Sequence, residues 1–211
     1  MDAPTATGLH DALRSALGAA ALLDGDADRE LARHDVYASG GVPLAVVRPA
    51  DIDALQAAVR LCAAAGVAMV PRGGGASYTD GYILPGGGHV LVDCGGLDFI
   101  EVNAGNATVR VGAGVTWAAL KAALDPLGLR TPFWGPFSGI AATVGGSVSQ
   151  NTISHGSGRH GLSAGSVMDV EVVLADGTLL HSAPAHATPA FQPRFRPWPR
   201  RIRADSRSSS A

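Results

Sequence analysis

A glycine-rich stretch in the first half of the chain carries the residues best suited to hold a ligand. It reads VPRGGGASYTDGYILPGGG from Val70 to Gly88, with seven glycines, one arginine and no lysine. Because glycine is entropically costly to order, such a run indicates backbone that passes where no Cβ fits. Consecutive amides freed by glycine can form a concave anion-binding nest, and Arg72 would attract an anion to it. A loose surface loop is the simpler alternative.

A second glycine-rich segment has a different character. It reads GPFSGIAATVGGSVSQN from Gly135 to Asn151 and mixes aromatic and aliphatic side chains with hydroxyl groups. This mixture suits a flat, partly apolar ligand edged by hydrogen-bonding atoms. Phosphates at the first segment and a planar heterocycle at the second would together describe a dinucleotide. From spacing alone, glycines that only allow two lobes to pack tightly remain an alternative.

Two familiar motifs occur without the elements that they require. GSGRHG, residues 156–161, matches a dinucleotide-binding fingerprint, but no apolar strand leads into it and no amphipathic helix follows it. GLSAG, residues 161–165, matches a nucleophile elbow, but a strand follows where a helix is needed, which argues against Ser163 as a nucleophile. His155 and His160 lack nearby carboxylates, so we predict no metal site.

Composition limits the class of protein. The chain has 211 residues, 46% of them hydrophobic, and a formal net charge of -2. It can therefore bury a core in one or two small domains, and its charge argues against general nucleic-acid binding. Cys62 and Cys94 are too few for a disulfide framework, and no segment has the pattern of a signal peptide or a membrane span. We expect a cytoplasmic protein.

The elements that would position the two glycine-rich segments mix strands, helices and hairpins. Residues 43–94 are predicted to form a strand, a helix, a strand, the glycine loop and a strand. A hairpin, a helix capped by Thr116, the second glycine-rich segment and another hairpin follow, the last with Asp176 and Gly177 supplying the positive φ of its turn. Frequent hairpins favour an α+β fold over a doubly wound parallel sheet.

The chain divides into three predicted regions. Residues 1–41 form an N-terminal helical segment, and residues 42–182 form the main domain, with subdomains of about 42–95 and 96–182. Residues 183–211 contain six arginines and five prolines without a periodic apolar face. We expect this last region to be a disordered tail.

The order of the segments resembles the PCMH-type FAD-binding domain of the vanillyl-alcohol oxidase and p-cresol methylhydroxylase family. The motifs that carry the resemblance are, in order, PRGGGASYTDG, VRVGAGVTWAAL, TVGGSVSQN, GRHG and VEVVLADG. The group includes FAD-linked oxidases of the glycolate oxidase and D-lactate dehydrogenase type. The resemblance implies two α/β subdomains with FAD between them, and oxidation of an alcohol or hydroxy acid by hydride transfer to FAD.

The resemblance also implies which residues contact FAD. The first glycine loop would wrap the pyrophosphate with backbone amides, and the second segment would line the phosphate, ribityl and flavin region. Gly161 takes the place of the glycine in the family's Tyr-Gly pair, with His160 replacing the tyrosine, and the strand around Val172 would run beside the adenosine. The implied contacts are Arg72, Gly73, Gly74, Gly75, Ala76, Ser77, Tyr78, Ser138, Thr143, Gly145, Gly146, Ser149, Gly161 and Val172.

The chain departs from the family at the first loop. Members that bind FAD covalently through this loop carry histidine where this chain has Ala76. Alanine has no nucleophile, so the resemblance implies FAD that is bound non-covalently or through another residue.

A second departure concerns the substrate domain, which in the family lies mostly after the FAD-binding domain. Here the arginine- and proline-rich residues 183–211 follow instead, and we expect a truncated or frameshifted chain rather than a genuine basic tail. The isolated chain is then expected to be inactive and prone to self-association, with its small-molecule substrate bound only in the complete form, and no catalytic residue is assigned. The alternatives are a stand-alone FAD- or nucleotide-binding subunit that acts with a partner, and a non-functional fragment.

Overall fold

Three short parallel strands form the centre of the first subdomain. The structure is a computed structural model that describes residues 6–132 and 139–182. β2 (Ala45–Val47) and β3 (Met69–Arg72) both pair in parallel with β4 (Val90–Asp93), which lies between them. β1 (Leu22–Leu23) adds an antiparallel edge, giving the order β1–β2–β4–β3.

Helices cover both faces of this sheet. Every residue of β2 and β4 is buried, as expected for parallel strands packed on both sides. α1 (Ala6–Leu17) and α3 (Ile52–Ala64) pack on one face. α2 (Asp26–Ala32) and Tyr82 pack on the other. The N-terminal residues therefore share the core of the first subdomain.

The second subdomain begins with an antiparallel hairpin of β5 (Ile100–Asn103) and β6 (Thr108–Val111). α4 (Trp117–Leu124) packs against it, with Trp117, Leu120 and Leu124 buried. The prediction that Thr116 caps this helix is confirmed, because its hydroxyl accepts a hydrogen bond from the Ala119 amide at 3.2 Å.

The rest of the second subdomain consists of two short helices and another hairpin. These are α5 (Val144–Ser149), α6 (Ser157–His160), β7 (Glu171–Val173) and β8 (Leu179–His181). Short 3-10 turns occur at Ala19–Ala21, Cys94–Gly96, Asp125–Leu127 and Ser163–Ser166. The mixed parallel and antiparallel pairing agrees with the predicted α+β class.

The structure contains a helix that the sequence did not predict, and it corrects the predicted turn between β7 and β8. α5 was not predicted, because its sequence VGGSVS is poor in helix-forming residues. In the turn between β7 and β8, Gly177 alone takes a positive φ, of 80°, and Asp176 does not. The Asp176 carboxylate instead accepts a hydrogen bond from the Thr178 amide at 2.8 Å.

Ser138 and residues 183–211, the predicted tail, lie outside the described residues. Within 6–132 and 139–182, no helix is long and apolar enough to cross a membrane.

We predict that Leu13→Ala destabilises the fold through the packing of α1. The Leu13 side chain is 0% exposed, so its removal should lower the free energy of unfolding by about 2–5 kcal/mol. Urea denaturation measures the change. Leu31→Ala is the matched control, since Leu31 is 68% exposed and its replacement should cost no more than about 0.5 kcal/mol. Equal losses in the two variants would contradict the packing of α1 on the sheet.

We also predict that stability depends on pH through His89, which precedes β4. The ring is 2% exposed, and its Nδ1 has no hydrogen-bond partner within the described parts of the chain. Burial lowers the pKa of His89 below its ordinary value of 6.5, against an opposing hydrogen bond with the Gly87 backbone. As the pH falls through 6.5, the unfolded chain therefore binds a proton that the folded chain does not.

The free energy of unfolding should consequently decrease below about pH 6.5. His89→Gln should flatten that decrease, which urea denaturation at a series of pH values would measure. An identical slope in the wild type and the variant would show that His89 is not the group responsible.

Candidate functional site

The two glycine-rich segments meet in the structure. A Cβ added at Gly74 would lie 1.5 Å from the carbonyl oxygen of Ala141, and one added at Gly73 would lie 2.4 Å from Oγ1 of Thr143. Real Cβ atoms do not tolerate such distances, so glycine is required at both positions. The packing alternative raised by the sequence therefore holds for these two glycines.

The loop after β6 extends this junction to the start of the second subdomain. A Cβ at Gly114 would lie 2.0 Å from the carbonyl oxygen of Cys94, and one at Gly145 would lie 2.7 Å from atoms of Ala113. The Gly145 amide donates to the Ala113 carbonyl at 3.0 Å, and the Val144 amide donates to the Val115 carbonyl at 2.8 Å. These backbone hydrogen bonds hold the start of α5 against the loop after β6 within the second subdomain, and the close approach of Gly114 to Cys94 places that loop against the first subdomain.

The amides of the first loop are the structural feature that favours an anionic ligand. Within the described residues, the backbone N–H groups from Gly73 to Tyr78 donate no hydrogen bond to the protein. Gly75 has a φ of 68°, which belongs to the left-handed region that nests use. A row of unpaired amides beside a junction of two lobes fits a phosphate-bearing group.

The amides at the start of α5 are different, because protein atoms already accept from them. Besides Gly145, the Gly146 amide donates to Thr143 Oγ1 at 3.2 Å. Thr143 is buried and serves as the N-cap of α5. The FAD contacts implied for Thr143, Gly145 and Gly146 stay predictions. In the structure, Thr143 caps α5 and holds this helix next to Gly73 of the first loop.

Arg72 ends β3 and lies underneath the first loop. Its guanidinium is 5.4 Å from the ring centroid of Tyr82, and a Cβ at Gly75 would lie 2.2 Å from Nη2. Burial raises the pKa of the Tyr82 hydroxyl, and Arg72 opposes that rise. Nε of Arg72 has no partner among the described residues, and Nη1 lies 4.0 Å from the Asp93 carboxylate.

Charged groups gather at the carboxyl ends of the parallel strands. The buried Asp93, at the end of β4, accepts a hydrogen bond from Arg48 at 2.6 Å in addition to its approach to Arg72. Two arginines thus face one carboxylate, which leaves net positive charge near the loop. The sequence reasoning missed Arg48 and Asp93, although each is the second-last residue of a predicted strand, 43–49 or 89–94, and parallel strands place their carboxyl ends at one edge.

The other predicted FAD contacts within the described residues lie in the first loop, in α5, after α6 and in β7. Ala76 and Ser77 are half-buried within the loop, Tyr78 is exposed, and Ser149 donates to the Gly145 carbonyl at 2.8 Å. Gly161 follows α6 with a φ of 80°, and Val172 lies in β7 paired with Leu180. Ser138 lies outside the described residues. The structure thus joins the first loop to Thr143, whose hydroxyl also accepts from the Gly146 amide at the start of α5.

The last hairpin rests against the first subdomain. The Gly177 carbonyl in its turn accepts hydrogen bonds from Gln56 Nε2 at 2.7 Å and from Arg60 at 3.1 Å. Both side chains belong to α3. On its other side, β7 is joined to β6 by the ion pair between Glu171 and Arg110, at 3.1 Å. The strand predicted to run beside the adenosine therefore has fixed neighbours in both subdomains.

A separate cavity of about 450 Å³ lies between α4 and α6. Its lining includes the basic side chains of Lys121, Arg130 and Arg159 and the apolar Leu120 and Leu124 of α4. None of the predicted FAD contacts is among its lining residues. The cavity is therefore a site distinct from the amides of the first loop.

Two α+β lobes joined at an amide-lined glycine loop define a domain that receives a phosphate-bearing cofactor without a Rossmann unit. The chain belongs to the family described as "FAD binding domain", whose model matches residues 43–183. FAD is therefore the cofactor of this domain, and the PCMH-type resemblance of the sequence is confirmed.

Comparisons with individual proteins agree with this membership. The chain is 32% identical over 137 residues to the FAD-dependent monooxygenase FUP4 of Fusarium proliferatum, covering 65% of this chain and 26% of that protein. It is 29% identical over 141 residues to the glycolate oxidase subunit GlcD of Bacillus subtilis, covering 67% and 30%. The structure of p-cresol methylhydroxylase with substrate bound matches with a TM-score of 0.69 at 17% identity, covering 88% and 36%, which is a likeness of fold. The chain spans less than a third of the length of these two curated relatives.

We predict that Gly74→Ala weakens FAD binding by breaking the junction of the two segments. The new methyl group would occupy the position of the Ala141 carbonyl, so the loop must move away from it. FAD affinity, measured by fluorescence titration, should fall at least tenfold, or about 1.4 kcal/mol.

The matched control for this variant is Gly86→Ala, in the same stretch. No atom lies within 4 Å of its added Cβ, and its φ is not positive. Its FAD affinity should stay within about twofold of the wild type, which corresponds to less than about 0.5 kcal/mol. Equal affinity in the Gly74 and Gly86 variants would show that the contact with Ala141 is not needed for the site.

Proposed function

We propose that this chain forms the FAD-binding part of an oxidoreductase that oxidises an alcohol or hydroxy acid. The row of unpaired amides from Gly73 to Tyr78, beside the junction of the two lobes, is the observation that carries the proposal. These amides would hold the pyrophosphate, with Arg72 and Arg48 supplying positive charge at the strand ends. When bound, FAD accepts a hydride from the substrate.

We further propose that FAD is held non-covalently. The residue at the family's histidine position is Ala76, which cannot form a bond to flavin. Burial raises the pKa of both Cys62 and Cys94 to about 11, so at neutral pH these thiols stay protonated and are poor nucleophiles. Cys62 also lies in the core between α3 and the sheet, away from any surface.

We infer the substrate class from the names of the relatives. One of them is named as a glycolate oxidase subunit, and another, from Pseudomonas putida, as D-2-hydroxyglutarate dehydrogenase, at 33% identity over 153 residues. Both names contain a 2-hydroxy acid, which favours that class over simple alcohols for this chain. We assign no residue of this chain as the base that accepts the hydroxyl proton.

We also propose that a substrate-binding partner covers part of this chain. Ile140 precedes α5, Ile153 lies between α5 and α6, and Met168 follows α6; their side chains are 87%, 76% and 80% exposed. Large apolar side chains that are this exposed in the FAD-binding lobe would be covered by a substrate-binding domain, in a partner subunit or in a second copy of this chain. The word subunit in the name of the Bacillus subtilis relative is consistent with an assembly of that kind.

The test of the cofactor proposal uses the purified 211-residue chain. We predict that it binds FAD from solution, and that acid precipitation of the complex releases all flavin into the supernatant. Absorbance at the flavin maximum in the supernatant and in the washed precipitate gives the two fractions. Absence of FAD binding would overturn the proposal itself, whereas flavin left on the precipitate would overturn only its non-covalent part.

We predict that this chain alone does not transfer a hydride from substrate to FAD. Positioning a substrate against a cofactor can contribute roughly 7–11 kcal/mol to catalysis, and no described residue is assigned to that task. The FAD complex of this chain alone should therefore stay oxidised when 2-hydroxy acids are added without oxygen. Bleaching of the flavin by a hydroxy acid, with no second protein present, would contradict the proposed need for a partner.

A further inference from the structure

We propose that Tyr82 and Asp35 are positioning residues that fasten the first glycine loop to the segment before the family match and so pre-form its row of amides. The inference rests on the proposed function, because it treats that loop as the pyrophosphate site. Asp35 lies outside residues 43–183, which the family model matches.

Tyr82 contacts the first loop at Gly75 and at Arg72, the residue at the entrance to the loop. Its ring is 5% exposed and supports the Arg72 guanidinium at 5.4 Å. Its hydroxyl donates to the His34 carbonyl at 2.7 Å and lies 3.3 Å from the Gly75 carbonyl. One phenol therefore connects the left-handed Gly75, the arginine at the loop entrance and the chain after α2.

Asp35 holds the loop from its outer end. One oxygen of its carboxylate accepts from the amides of Tyr37 and Ala38, at 2.6 and 2.7 Å. The other accepts from the Asp80 amide at 3.2 Å, which ties this turn to the end of the loop. The Val36 amide adds a bond to the Ser77 carbonyl at 3.4 Å.

The two anchors explain how a glycine-rich loop can keep a defined shape. Glycine loses more conformational entropy on ordering than other residues, so an unsupported loop would have to be ordered by the ligand. Bonds to the carbonyls of Gly75 and Ser77 and to the Asp80 amide fix points along the loop without using the N–H groups from Gly73 to Tyr78. The amides are left for an anion while the shape is fixed by other atoms.

Tyr82→Phe tests the first anchor, because phenylalanine keeps the ring under Arg72 and removes only the hydroxyl. Loss of one hydrogen bond should weaken binding of both ADP and FAD roughly three- to tenfold in titrations of the folded protein. ADP carries the pyrophosphate without the flavin, so it reports on the loop alone. Asp35→Asn, which removes one of the two acceptor oxygens, should give a loss of similar size.

Limited trypsin digestion of the unliganded protein gives a second readout that does not depend on a ligand. Cleavage after Arg72 requires the loop that begins at Gly73 to open, and each variant weakens one bond that holds this loop, so both should be cut there faster than the wild type. Cleavage after Arg110, which lies in the other subdomain with its side chain 56% exposed, should keep its rate. A merely structural defect would accelerate both cuts together.

Tyr37→Phe is the matched control, since its side chain belongs to the same segment and is 79% exposed. It should leave ADP affinity and the rate of cleavage after Arg72 unchanged. Wild-type protein that binds FAD and ADP, with Tyr82→Phe and Asp35→Asn variants of equal affinity, would overturn the anchoring role alone. Wild-type protein that binds neither compound would overturn the proposed function, and this inference with it.

Discussion

The close approach of backbone from two distant parts of the chain is the constraint on which the rest of the structure depends. Gly74 lies against the Ala141 carbonyl, and Gly114 lies against the Cys94 carbonyl, at distances that exclude any side chain. These contacts bring the first glycine loop to the start of α5 and close the junction between the two subdomains. The glycines therefore serve the packing of the lobes, while the amides from Gly73 to Tyr78 donate to no described residue and are left for the proposed pyrophosphate. One row of residues can do both because Cβ and N–H point in different directions.

Charge at the site comes from the parallel strands rather than from the loop. Arg48, Asp93 and Arg72 all lie where β2, β4 and β3 end, so the sheet brings them to one edge. Arg72 lies against the loop, between Tyr82 and Gly75, so its charge would act on a pyrophosphate bound at the proposed row of amides. Arg48, Arg72 and Asp93 together carry one excess positive charge, which would lower the electrostatic free energy of a pyrophosphate bound near them.

Much of this arrangement was predictable because periodicity and turn residues determine it locally. The strands around Val46 and Leu91, the helix capped by Thr116 and the class of the fold follow from apolar spacing and cap chemistry. What could not be predicted depends on tertiary contacts. α5 forms from residues with weak helix propensity because Thr143 caps it and the backbone of Ala113 and Val115 accepts from its first turn. The roles of Tyr82 and Asp35 likewise need partners far away along the chain.

Backbone amide NMR of the 15N-labelled protein during titration with ADP tests the central claim most directly. If the pyrophosphate binds at the unpaired amides, the cross-peaks of residues 73–78 should move most, and the amides of Gly145 and Gly146, which protein atoms already occupy, should move less. Changes confined to residues around the basic cavity between α4 and α6, with the peaks of the first loop unmoved, would contradict the account.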